Sequence, residues 1–128
     1  MIYLDSSVVL AQIFLEARQP TAMLWSQAIA SSRLLEYEVW NRIFARGLGH
    51  GLQDEVGAVL RKVGMIELGP QPLRRALRPF PIAVRTLDAL HLATMVFLLE
   101  TGEAVQLASY DNRLLSAAAA LGIPAAEL

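Results

Sequence analysis

Two short apolar runs in this sequence each lead to an acid, and each acid opens a helical stretch. Met1–Leu4 ("MIYL") runs into Asp5, and "AVQLAS" runs through Tyr110 into Asp111. A strand that hands over to a helix through a single turn must bring the next strand back parallel to the first, so repeated units of this kind commit a chain to an α/β fold with a mainly parallel sheet. The intervening pattern fits. The periodicity predicts helices over Ser7–Glu16, Pro20–Ala30 and "YEVWNRIFAR", then over Gln53–Val63, "QPLRRAL", Ile82–Glu100 and Asn112–Leu121. "SSRLLE" reads as a short strand or bridge, "GMIELGP" as a strand and "IPAAEL" as a final edge strand. No repeat or linker divides residues 1–128, a length ordinary for one domain.

Composition matters in three places. The absence of cysteine removes disulfides, zinc–thiolate sites and a cysteine nucleophile from consideration and fits a reducing cytoplasm. No secretory leader is read at Met1–Leu4, and no apolar run reaches the roughly 20 residues of a membrane span, so a soluble protein is expected. Hydrophobic residues make up 55% of the chain, which predicts an apolar face covered by a partner; the segments around Phe14, Leu24 and Trp25 are the expected place for it.

Four acids stand out. Asp5 and Asp111 follow strands, at the edge where open parallel sheets bind ligands; each also reads as a turn or N-cap acid. Asp88 sits among Leu87, Ala89, Leu90 and Leu92, where an isolated carboxylate is costly and must pair, protonate or bind a cation. Arg85 and His91 lie three residues to either side, so an Arg85–Asp88 ion pair is one solution and a cation site the other. Glu38 is expected on the polar side of its helix, with Glu36 preceding the helix proper. Oxygen-only donors suit magnesium or manganese rather than zinc. Ser6, Ser7 and Ser109, beside the strand-end acids, can orient ligands or satisfy turn amides, and His91 can assist from its helix or be structural.

The net charge is −1, so the molecule as a whole is not a basic nucleic-acid binder. Ten of its eleven basic residues are nevertheless arginine, and Leu68–Leu87 holds Arg74, Arg75, Arg78 and Arg85 with no acid. That stretch is the expected phosphate-contacting surface, with a solvated helix face as the plain alternative.

The order "IYLDSS", "SSRLLEYEVWNR", "RTLDALHLAT" and "ASYDNRLLSAAAALGI" resembles the PIN-domain nucleases, specifically toxins of the VapC type, over nearly the whole chain. The resemblance implies a three-layer α/β/α fold and a Mg2+ or Mn2+ site carried by Asp5, Glu38, Asp88 and Asp111. It implies hydrolysis of RNA phosphodiester bonds by a metal-activated water. It also implies a homodimer held inactive by a small VapB-like antitoxin. Two positions depart from some relatives: Leu114 stands where they carry another acid, and Val8–Leu15 has no lysine. Loss of the acids would signal a catalytically idle RNA-binding PIN-like domain, and here they are present. A PIN nuclease of RNA processing shares the pattern. An aspartyl phosphatase does not, because it needs an acid two residues after Asp5, where Ser7 stands.

Overall fold

The computed structural model describes all 128 residues, and its first apolar run forms strand β1 (Ile2–Leu4). Alternation along the strand sends Ile2 and Leu4 to one face and Tyr3 to the other, and all three are buried. After β1 come α1 (Ser6–Ile13), β2 (Ile29–Ser32), α2 (Leu34–Ala45) and α3 (Gln53–Leu60). They are followed by β3 (Gly64–Ile66), α4 (Pro70–Ala76), α5 (Thr86–Glu100), β4 (Gln106–Ala108) and α6 (Asn112–Ala120). The four strands make one parallel sheet in the order β3-β2-β1-β4, with Ile2 opposite Ile29 on one side and Gln106 on the other.

Helices cover both faces, giving the expected three-layer α/β/α arrangement. On one face Val8 and Val9 of α1, Leu35, Val39 and Ile43 of α2, and Val56 of α3 pack with Ile2 and Leu4. On the other, Leu92, Met95 and Leu98 of α5 and Leu114 and Ala118 of α6 pack with Tyr3 and Leu107. The spacing of four along α2 puts its three aliphatic residues on one stripe, and each such side chain taken fully from water contributes about 1.5–3 kcal/mol. α4 lies along α5. No helix is long and apolar enough to cross a membrane.

The chain lays down β1, β2 and β3 in one direction and then crosses to place β4 on the far side of β1. The connections leaving the carboxyl ends of β1 and β4 therefore diverge, and a crevice opens between them. This is the position where parallel sheets bind ligands.

Several expected elements are corrected. Residues 20–30 do not form a helix: only a single 3-10 turn, Leu24–Ser26, interrupts an irregular segment, and Ile29 and Ala30 already belong to β2. Pairing to both β1 and β3 outweighs the local helical preference there. Leu24 is consequently a core residue, 1% exposed, and not part of an open apolar face. Phe14 and Trp25 are half-buried beneath Arg46 (4.0 Å from the ring centroid) and Lys62 (5.6 Å). α1 stops at Ile13, followed by Leu15 in the left-handed region at φ 51°. α2 begins at Leu34, so Glu36 lies inside the helix rather than before it, in ion-pair contact with Arg33 at 3.6 Å. α5 starts at Thr86, not Ile82. The chain beyond Pro81 stays out of the helix as far as Arg85, which is itself extended, while Phe80 and Val84 pack on the second core cluster. Asp88 therefore occupies the first turn of α5 instead of its interior. The C-terminal residues contribute one bridge, Leu107 to Ala125, in place of a strand.

Candidate metal centre

The carboxyl end of β1 delivers Asp5 into the crevice as the N-cap of α1. The side chain is nearly buried, and three donors converge on one of its oxygens. Ser7 Oγ stands 2.5 Å from Oδ2, Ser109 Oγ 2.8 Å, and the Ser7 amide 3.4 Å. Ser109 also accepts the Asp111 amide (2.9 Å), and Ser7 Oγ accepts the Tyr110 amide (3.0 Å), so these two hydroxyls tie the β1 and β4 exits together. Asp111 caps α6, with Oδ1 accepting from the amides of Arg113 (2.9 Å) and Leu114 (3.4 Å). The N-cap reading of both strand-end acids thus holds, and it uses only half of each carboxylate.

Glu38 enters from α2, where its Oε1 is hydrogen-bonded by Nε2 of the buried His91. The pattern repeats: Asp5 Oδ1, Glu38 Oε2 and Asp111 Oδ2 make no hydrogen bond, and none is sealed from solvent, since the one fully buried side-chain polar atom without a partner is the Tyr110 hydroxyl. Asp88 comes from the first turn of α5, its side chain 18% exposed. Burial pushes its carboxyl above the usual carboxylate range. Asp111 and Asp5 push the same way, and Arg85 and His91 do not offset them. Burial lowers the His91 imidazole, but Glu38, assisted by Asp5 and Asp88, more than reverses this and leaves it above the ordinary histidine value.

All four acids line one open cavity of about 700 Å³, together with Ser6, Ser7, Asn41, Arg42, Arg85 and Thr86. As the side chains stand, no three of the acids and histidines are close enough to share one ion. Glu38 is held by His91 and Asp5 by the two serines, each through one oxygen. The donor chemistry nevertheless fits a hard divalent cation: the donors are oxygen only, three carboxylates have a free oxygen, and the fourth is held up by burial and then by its like-charged neighbours.

The expected arginine surface divides. Arg85 lines the cavity, its side chain 73% exposed. Arg74, Arg75 and Arg78 do not line it. Arg75 is occupied locally, over the Phe80 ring at 4.2 Å and within hydrogen-bonding distance of the Arg78 and Pro79 carbonyls (3.2 and 3.4 Å). Asn41, Arg42, Thr86 and Arg113 were not anticipated; Arg113 lines a smaller neighbouring cavity with Arg85 and Asp88. Spacing carried a signal for two of them, since Asn41 and Arg42 lie three and four residues after Glu38 and share its helix face. Comparison of the chain with models of known protein families and with curated protein sequences gives no match.

Proposed function

We propose that this chain is a metal-dependent endoribonuclease of the PIN-domain type, acting as the toxin of a toxin–antitoxin pair. The observation that carries the reading is the half-used carboxylate. Acids from four separate elements line one cavity at the sheet's switch point, and three of them are anchored through one oxygen with the other open. A purely structural cap or ion pair gives no reason for this arrangement to recur at three positions in one cavity. The resemblance of the sequence to VapC-type nucleases supports the same reading.

Asp5, Glu38, Asp88 and Asp111 would hold Mg2+ or Mn2+. When bound, the ion supplies an acidified water and neutralises charge on the scissile phosphate. The chain's own residues do the rest. Arg42 and Arg85 draw the phosphodiester toward an otherwise anionic cavity, and Asn41 and Thr86 offer neutral donors beside them. One cavity carboxylate accepts the proton of the attacking water. Water adds at phosphorus as the P–O3′ bond breaks and the departing 3′-oxygen takes a proton from solvent, so the products carry 5′-phosphate and 3′-hydroxyl ends.

End-group analysis of a cleaved single-stranded RNA, with and without EDTA, tests this directly. Metal-dependent 5′-phosphate ends are expected; 2′,3′-cyclic phosphate ends, or cleavage in EDTA, would overturn it. The toxin role, homodimer and small antitoxin belong to the same proposal. Growth arrest on expression, relieved by an adjacent small gene, is the expected phenotype.

A further inference from the structure

A line of buried polar groups runs from β2 to the cavity. The Ser32 amide donates to the Tyr3 hydroxyl oxygen (3.0 Å), that oxygen lies 2.7 Å from His91 Nδ1, and His91 Nε2 meets Glu38 Oε1. Tyr3 is completely buried and His91 is 1% exposed, so neither can turn to water for a partner. Their rings meet edge-on, with centroids 5.8 Å apart. The neighbouring hydroxyls of Ser31 and Thr94 donate elsewhere, to the carbonyls of Leu4 and Leu90.

With the imidazole neutral, the hydrogens have a direction. The Tyr3 oxygen already accepts from Ser32, and its other hydrogen bond, to His91 Nδ1, takes its own proton. Nδ1 is then an acceptor, and the ring proton sits on Nε2, aimed at Glu38. We propose that Tyr3 is a positioning residue. Through His91 it fixes which oxygen of Glu38 is held and which is left facing the cavity. Tyr3 touches neither substrate nor cavity. Its consequence for metal binding rests on the function proposed above, whereas its effect on the imidazole does not.

Long-range 1H–15N spectra of the wild-type protein in EDTA, taken at a pH alkaline enough to leave the imidazole neutral, read the His91 tautomer, with His50→Gln assigning the second histidine. A neutral ring protonated on Nε2 is expected; a neutral ring protonated on Nδ1 overturns the proposal whether or not any variant folds. In Tyr3→Phe, which keeps the ring and loses the hydroxyl, the single-tautomer signature should disappear. Mn2+ affinity should fall about 10–100-fold, as when a group hydrogen-bonding a metal ligand is removed. Val56→Ala, on the opposite face of the sheet, controls for stability and should lower Tm while leaving signature and affinity unchanged. A folded Tyr3→Phe protein with wild-type signature and Mn2+ affinity overturns the proposal. Should the wild type bind no Mn2+, the metal reading fails, and the tautomer result still decides whether Tyr3 orients His91 toward Glu38.

Discussion

Arg85 Nε stands 3.8 Å from Asp88 Oδ2 and does not neutralise it. The guanidinium is largely in solvent, where an ion pair is weak, while burial and the carboxylates of Asp111 and Asp5 raise the Asp88 carboxyl despite it. The ion pair expected as the structural alternative at this position therefore exists as a contact, but it leaves the buried charge unresolved.

Asp88→Asn should abolish cleavage and at the same time stabilise the metal-free fold. A carboxyl raised above its unfolded value is penalised for ionising on folding, and that penalty develops as pH rises through the usual carboxylate range toward the folded value. Melting curves in EDTA should show the variant above wild type near neutral pH, with the gap closing in acid. A variant that melts below wild type at neutral pH would mean that Asp88 is held by its ion pair after all.

Divalent metal should reverse the same penalty in the wild type. Mg2+ or Mn2+ should raise Tm and restore activity removed by EDTA, and calcium should bind yet support cleavage poorly because its coordination is looser. The metal-induced rise in Tm should be absent from Asp88→Asn. An equal rise in both proteins would move the ion to another site.

Ser109→Ala removes a donor from Asp5 Oδ2 and the acceptor of the Asp111 amide in one step. A buried group deprived of its partner costs about 1–3 kcal/mol, so Tm should drop. Cleavage should fall further than in Ser116→Ala, an exposed serine of α6. Unchanged turnover in Ser109→Ala would show that Asp5 needs no tether.

Two arginine sets can be separated by salt. Contacts to single-stranded phosphates weaken binding with a log–log slope of about −0.7 each. Replacing Arg42 and Arg85, both on the cavity, should flatten the slope by about 1.4 on that basis. Replacing Arg74 and Arg78, which do not line it, should flatten it less. Arg75→Ala should mainly lower Tm, because that side chain covers Phe80. The reverse ranking would put the RNA path over α4.

Leu15 is 76% exposed and holds φ at 51°, a conformation that costs a branched side chain about 1–2 kcal/mol. Leu15→Gly should raise Tm and leave cleavage unaltered. A fall in Tm would show that contacts of this side chain outweigh the backbone strain.

Features that depend on local pattern were legible in the chain. Short apolar runs ending in Asp5 and before Asp111 specify strands that hand over to helices, and a series of such units forces a parallel sheet with its acids on one edge. The apolar surroundings of Asp88 marked it as an acid needing an explanation. Features that depend on neighbours distant in the chain were set by packing. Residues 20–30 carry a helical preference, yet Ile29 and Ala30 are claimed by a strand because β1 and β3 offer it hydrogen bonds on both sides. Tyr3 reads as one more core aromatic; only the approach of α5 brings His91 to its hydroxyl and α2 brings Glu38 to the other side of that ring. A hydrogen bond spanning 88 residues leaves no periodicity to read, because its partners are chosen by packing of the sheet faces and not by their spacing in the chain.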